Sequence, residues 1–577
     1  MKQRDRVVTR SAARISFWRA LVLAACCLAG GSQARAGGLA PDLQAQIDAN
    51  PLSFQPRRVI VQLGAPVLSL PLLAALYGAV VDTDLPLIHG VALTIPQNMI
   101  VALSLDGAVQ WISPDRTLGA RWDYDTAATG AAQVWSSPGY RGSGIRVAVL
   151  DTGVAGASPE WSRFGSDASR LVAFKDLVNG RRAPYDDNGH GTHVAGVALG
   201  SGNRSAGFIT GTAPDAGLVA VKVLGQDGSG SVSTVISGLS WCVQNRASLN
   251  LRVINLSLGH RPEESYRTDP LCAAVRKAVQ AGMVVVCAAG NDGKDSSGTI
   301  RYGGIHCPGI EPCAITVGAL NTFGTAVRSD DGVCTYSSRG PTYSDHLAKP
   351  DLVAPGNRIV SVRAPDSTLD TRFPGNRVDY DPRTPAVDYF QLSGTSMAAA
   401  QVTGIVALML GANPALQPNT AKAILMVTAQ EMPLQDASGQ PLSPGLSVLT
   451  QGAGSVNAVG AVETASRINA GAAVGSRWLQ APLSTESAIM GETCPWSGKV
   501  LWGAAALSGE GLLGIRQELW SDAAAWSDPV DWSGPITQSS DGVAEDQFTW
   551  GDQYTWGDQY TWGDQYTWGD GAETDGE

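Results

Sequence analysis

Apolar residues along this 577-residue chain gather in short unbroken blocks separated by glycine, aspartate and asparagine. Ile145 to Leu150, Leu218 to Leu224 and Val284 to Ala289 are largely apolar runs of strand length. Such runs predict parallel strands covered on both faces. Met397 to Ala400, continued by Val402 to Leu410, predicts a buried helix, and Thr192 to Leu199 a second one. Strands alternating with helices predict an α/β domain with a doubly wound, mostly parallel sheet. Upstream lies a smaller α+β pattern. It has strands at Arg58 to Leu63, Gly90 to Ile95 and Val109 to Ile112, and helices at Leu68 to Tyr77 and Gln97 to Leu105.

Each main block ends on a residue with chemistry. Val147-Ala148-Val149-Leu150-Asp151-Thr152-Gly153 puts a carboxylate at the end of a buried strand, where α/β sheets build their sites. Asn188-Gly189-His190-Gly191-Thr192-His193 opens the short helix with an imidazole between glycines, which let backbones approach closely. Ser393-Gly394-Thr395-Ser396-Met397 puts a hydroxyl at the start of the apolar helix, in a field that favours a developing anion. A serine hydroxyl needs a base, and the base needs a group to orient it. Asp151, His190 and Ser396 are the candidate catalytic set for acyl transfer. Asn291, after the strand at Val284, can offer its amide to the oxyanion beside the Ser396 backbone N–H. The local alternatives are plain: Asp-Thr-Gly is also a turn, Ser396 also suits a helix cap, and His193 reads as a buried structural histidine.

The segments and their Asp, His, Ser order resemble the subtilisin-like serine peptidases, peptidase family S8, over about Ala127 to Ala465. That chain order is itself the familiar one of subtilisin. The resemblance implies a subtilisin-like α/β catalytic domain, peptide-bond hydrolysis and protein or peptide substrates. It also implies substrate-binding stretches at Gly228, Ser229 and Gly230, at Ser257, Leu258 and Gly259, and at Ala288, Ala289 and Gly290. The upstream unit, about 57–115, resembles the I9-like inhibitory prodomains of that family. This implies a self-processed precursor with its own prodomain as inhibitor, cut near Arg116 to Trp122. The chemistry requires no cofactor. Structural calcium is a family trait, but no ligand set can be assigned, and a monomer is expected.

Composition adds the compartment. Six basic residues before Ala20 precede an apolar run to Ala29 and Ala34-Arg35-Ala36, a secretory signal pattern too short to span a bilayer. Leu23-Ala24-Ala25-Cys26 offers lipid anchoring at Cys26 as the alternative. The expected location is outside a bacterial cell or on its surface. Seven cysteines lie beyond the signal, so at least one is unpaired. Cys307 and Cys313 flank one short loop and are the best local pair; Cys287, in a core strand, reads as the free thiol.

The net charge is −11, yet Gln517 to Glu577 alone holds 14 acidic and no basic residues, leaving the rest at +3. No basic face with aromatics points to nucleic acid. Phe548-Thr549-Trp550-Gly551-Asp552-Gln553 repeats every six residues through Asp570, and tryptophans at 478, 496, 502, 520, 526 and 532 share its phase. An even period would put every Trp on one side of a strand; Gly-Asp favours turns. The pattern predicts a hexapeptide array from about Trp478, either a spacer or a surface that contacts glycan or a cell-surface partner.

The division expected is signal 1–36, propeptide 37–118, catalytic domain 119–468 and acidic repeat tail 469–577. The function expected is a secreted serine endopeptidase. The alternatives are an adhesive protein acting through its Trp tail and a maturation peptidase for one partner.

Overall fold

The computed structural model describes residues 38–538 except 41–42, 45–46, 49, 65–73, 115–124, 380–387, 437, 510, 522–525 and 527–536. The signal segment, Cys26, the expected prodomain cut, most of the helix at 68–77 and the Trp-Gly-Asp copies from Trp532 onward lie outside the described residues. Two compact units are present, 1–120 and 121–577.

The first unit is a five-stranded sheet of β1 (Gly38–Leu39), β2 (Pro56–Leu63), β3 (Val80–Leu85), β4 (Gly90–Pro96) and β5 (Val109–Pro114), in the order β1-β5-β2-β4-β3. Helix α1 (Ile100–Ser104) packs Ile100 and Leu103 with Val59, Val61, Leu93, Ile95 and Ile112. The three expected strands form. Strand β3 is missed by the apolar pattern because it is an edge strand with no buried residue.

The second unit is built on a parallel sheet. Its strands are β6 (Arg146–Asp151), β7 (Leu171–Asp176), β8 (Gly217–Lys222), β9 (Leu251–Leu256), β10 (Val284–Ala288), β11 (Ile315–Asn321), β12 (Gly332–Val333) and β13 (Leu352–Pro355). Along the sheet the order is β7-β8-β6-β9-β10-β11-β13, all parallel, and β12 adds antiparallel to β11. The first strand, β6, lies inside the sheet, so the chain winds one way to β8 and the other way from β9. That makes the carboxyl end of β6 a topological switch point, where doubly wound sheets open a crevice.

Strand residues alternate between two cores. Val147, Val149, Leu218, Val284 and Val286 face α2 (His190–Leu199) and the later helix α5 (Thr395–Ala412). Ala148, Leu150, Val219, Val285 and Cys287 face α3 (Val232–Asn245) and α4 (Pro270–Gln280). Helix α5 is apolar enough to cross a membrane, but 89% of it is buried, so its apolarity belongs to the core. A three-stranded sheet of β14 (Ile359–Val362), β15 (Arg377–Val378) and β16 (Tyr389–Leu392) leans on α2. Helices α6 (Pro418–Thr428) and α7 (Ala458–Arg467) close the unit.

The chain from 469 is where structure and pattern part. Two hairpins follow, β17 (Glu486–Ile489) with β18 (Glu492–Pro495), and β19 (Lys499–Trp502) with β20 (Ala505–Ser508). Trp478, Trp502, Trp520 and Trp526 are buried in the same core as α5. Trp502, Trp520 and Trp526 touch one another, with ring centroids 5.2–6.0 Å apart. Trp526 Nε1 donates to Asn419 Oδ1 at 2.9 Å, and Thr420 Oγ1 donates to the Trp520 carbonyl, both acceptors and donors meeting on α6. Trp478, Trp502, Trp520 and Trp526 are thus core anchors, whereas Trp496 of the same phase is half-buried. A common phase along the chain carries no information about which members are buried.

No cysteine among the seven described forms a disulfide. The pairing expected between Cys307 and Cys313 is not formed; the Cys307 sulfur lies 3.7 Å from that of Cys272 instead.

Candidate active site

Asp151 is the last residue of β6, at the switch point, and is fully buried. Its Oδ1 accepts from the Thr152 backbone N–H at 2.7 Å and meets His190 Nδ1 at 2.7 Å. That contact makes Nδ1–H the donor and leaves Nε2 as the basic nitrogen of neutral His190. Gly189 caps α2 at φ 106°, a conformation that glycine adopts at little cost. A Cβ on Gly191 would collide with the Gly153 carbonyl, so the helix can start this close to β6 only without one.

Burial by itself would lower the His190 pKa; the charge of Asp151 and its hydrogen bond outweigh that and raise it above 6.5. The folded chain therefore holds the proton more tightly than the unfolded chain. The pair's contribution to stability is full below about 6.5 and fades as pH rises through the higher folded value. His193 is the opposite case. Burial, then the neighbouring His190, pushes it down to about 3, and its Nε2–H lies between the carbonyls of Ile359 at 3.1 Å and Phe390 at 3.0 Å. It is neutral and ties α2 to β14 and β16.

Ser396 is the second residue of α5, whose cap is Gly394, so it does not serve as the cap. Its Oγ donates to the Ser257 carbonyl at 3.3 Å, and Ser257 Oγ donates to the Ser396 carbonyl at 2.8 Å. Helices α2 and α5 pack together, with His190 and Ser396 in their first turns. Asn291 follows β10. Its Oδ1 accepts from the Thr395 backbone N–H at 3.0 Å and from Thr395 Oγ1 at 3.1 Å. A backbone N–H can only donate, so the oxygen end is identified and Nδ2 is turned away from Thr395.

Of the expected substrate-binding stretches, Ala288, Ala289 and Gly290 are buried at the end of β10. Ser257, Leu258 and Gly259 leave β9, with Ser257 locked to Ser396. Gly228, Ser229 and Gly230 form the turn after β8, with Ser229 Oγ donating to Asp227 at 2.7 Å.

Three contributors were not legible in the sequence. Asp186 is a buried hub: its carboxylate accepts from Thr152 Oγ1, from the backbone N–H groups of Asn188, Gly189 and Thr192, and from Thr192 Oγ1, at 2.6–3.1 Å. It joins the Asp151 strand end to the His190 loop. The only sequence hint is an Asp before Asn-Gly, which signals a turn. The chain between Pro355 and Ser393 backs the same loop, as the N–H groups of Thr368 and Leu369 donate to the carbonyls of Asp187 and Asn188. Third, Asp292 accepts from Arg261 and pairs with His306, each at 2.8 Å. Burial would raise its pKa, but these two partners hold it well below the usual carboxylate range.

No calcium site is assigned. Among the described residues one group of three His, Cys, Asp or Glu side chains converges, His260, Asp269 and Cys307. Its thiol and imidazole do not suit a hard cation that takes six to eight oxygens.

Comparison with known proteins now has a geometry to meet. Residues 142–469 match the model of the subtilase family, peptidase S8. Serine protease AprX of Bacillus subtilis (strain 168) is 39% identical over 336 residues, 57% of this chain and 71% of that protein. Subtilisin DY of Bacillus licheniformis is 34% identical over 295 residues, 51% of this chain and 86% of its own. A solved cold adapted subtilisin-like serine proteinase is 31% identical and covers 52% of this chain and 88% of its own, with a TM-score of 0.38. The family match covers more than half of the sequence and holds Asp151, His190, Asn291 and Ser396, each at the end of a core element of a doubly wound sheet; the chain belongs to the subtilase family of serine peptidases.

Proposed function

We propose that the chain is an exported serine endopeptidase that cuts peptide bonds through an acyl-enzyme and matures from its own precursor. The observation that carries this reading is the buried 2.7 Å pair of Asp151 and His190 at the switch point, with Ser396 opening the neighbouring core helix. Ser396 attacks the peptide carbonyl. His190 takes the hydroxyl proton and returns it to the leaving amine, while Asp151 holds the imidazole in its Nδ1–H form and stabilises its charged state. The Asn291 amide and the Ser396 backbone N–H receive the oxyanion. Water then releases the acyl group by the same steps in reverse, and no cofactor is needed.

The three substrate-binding stretches belong to this reading, which treats Gly228 to Gly230 as an edge that pairs with an extended substrate. The first unit, compact with its own core, acts as the I9-like inhibitory prodomain. The Trp-Gly-Asp copies beyond 538 take no part in the reaction.

A serine-directed fluorophosphonate tests this. It is expected to label Ser396 of the exported protein, and wild type alone is expected to lose its first hundred-odd residues. A folded, trimmed protein that takes no label overturns the reading. The base must be neutral to act, and its pKa is raised, so kcat/KM should fall on the acid side with a midpoint above 6.5. A midpoint at or below that value on a peptide without titrating groups would mean that Asp151 does not raise the His190 pKa.

A further inference from the structure

We propose that Cys272 and Cys307 form a disulfide that staples helix α4 to the segment joining the two walls of the substrate cleft. The two sulfurs are already in van der Waals contact at 3.7 Å, and both residues are fully buried. Cys272 lies in the first turn of α4, whose cap Asp269 accepts from the Cys272 backbone N–H at 2.8 Å. Cys307 is fixed as firmly. Its N–H and C=O exchange hydrogen bonds with His260 at 2.9 and 3.0 Å. To bond, the sulfurs close by about 1.7 Å to a length of about 2.0 Å.

A metal site is the competing use of these groups, and the geometry disfavours it. The ligand atoms of His260, Asp269 and Cys307 converge, but the Cys272 sulfur does not share that group. Asp269 Oδ1 already accepts from the Cys272 N–H and from the Cys307 thiol at 3.2 Å.

The place of the bond gives it a consequence. Cys307 directly follows His306, whose N–H donates to Ala289 O at 2.9 Å and whose ring lies 2.7 Å from where a Cβ on Gly290 would sit. On the other side a Cβ on Gly259 would come within 2.7 Å of the Cys307 carbonyl. One short segment thus spaces Ser257–Gly259 from Ala288–Gly290, and the staple anchors it to α4. The bond does not depend on the peptidase reading; its effect on the cleft rests on it.

The oxidant is a small-molecule disulfide such as oxidised glutathione. The thiolate of Cys272 attacks it and expels one thiol; the thiolate of Cys307 then attacks the mixed disulfide and expels the second. One protein S–S bond forms, the oxidant's S–S bond breaks, and the two thiol protons end on the two released thiols. Since both sulfurs are buried in the finished fold, exchange takes place as α4 docks.

The test uses the full chain folded in a glutathione redox buffer, then denatured and alkylated without reduction. The expected result is an intact mass below that of the reduced and alkylated chain by the mass that two alkylations add plus 2 Da, one peptide pair joined through Cys272 and Cys307, and alkylated Cys313. Reduction should speed thermal inactivation at least tenfold in wild type and leave Cys272→Ser unchanged. Full alkylation of both cysteines, a link through Cys313, or stoichiometric bound zinc each overturns the proposal. A bond found by mass with no change in peptidase inactivation overturns only its role in the cleft. Failure of the peptidase reading itself would show as no fluorophosphonate label in either redox state.

Discussion

Replacing Ser396 by alanine is expected to lower kcat on a peptide substrate by about a millionfold, the size known for subtilisin and carried over rather than obtained from this structure. The loss is that large because nucleophile and base act as one unit. His190→Ala should cost about as much, and the double variant little more than either. The fold should not notice the loss of the Ser396 hydroxyl. Ser396 Oγ donates to the Ser257 carbonyl at 3.3 Å and does not cap α5, so the melting temperature of Ser396→Ala should stay within a degree or two of wild type. Asn291→Leu removes the other oxyanion donor, and about a 10²–10³-fold fall is expected, again the subtilisin figure. Asn291 also holds the Thr395 N–H at the start of α5, so that variant should lose some stability as well. Stopped assays at saturating substrate with a parallel melt measure all four variants. A Ser396→Ala protein that still cleaves at a tenth of the wild-type rate would place the nucleophile elsewhere.

Removing 478–577 is expected to leave no folded peptidase, whereas removing 539–577 leaves stability and rate unchanged. The two deletions differ by a few dozen residues and by the tryptophans they take. Trp478, Trp502, Trp520 and Trp526 are 3%, 5%, 0% and 2% exposed and complete the core around α5 and α6. Truncating one buried Trp to Ala costs about 3–5 kcal/mol. Several together exceed the roughly 5–15 kcal/mol by which a domain is stable. The Trp526 ring also covers Lys422, whose Nζ lies 4.7 Å from the ring centroid and 3.0 Å from Asp351. Burial, against the pull of Asp351, brings that lysine down to about 7. Stripped of its cover, its head group would regain solvent. Thermal melts and soluble yield of the two truncations decide the matter. A 1–477 chain with the wild-type melting temperature would make the buried tryptophans dispensable and return 469–577 to the status of a detachable tail.

Legibility followed the physics of each feature. The strands of the large sheet are covered on both faces, so their residues must be apolar, and Ile145 to Leu150, Leu218 to Leu224 and Val284 to Ala289 announce themselves. Strand β3 buries nothing, and Val-Val-Asp-Thr-Asp-Leu carries no such mark. Reactive residues beside glycines at block ends were readable because the chemistry demands those types there. Their supporting contacts were not. Asp186, Thr395 and the Thr368 turn act through hydrogen bonds to groups close in space and remote or unremarkable in sequence. The same holds for cysteines. Only five residues separate Cys307 from Cys313, but the sulfur beside Cys307 comes from Cys272, because α4 and the Cys307 segment pack side by side.

By itself, the sequence determined the α/β class, the family and the candidate catalytic residues, since burial and covalent chemistry restrict residue type directly. Only the tertiary structure decided where β6 sits in the sheet, which end of Asn291 faces Thr395, which thiols meet, and that a six-residue tryptophan rhythm begins inside the core. Those depend on which surfaces pack, and packing is a property of the folded chain rather than of any stretch of it.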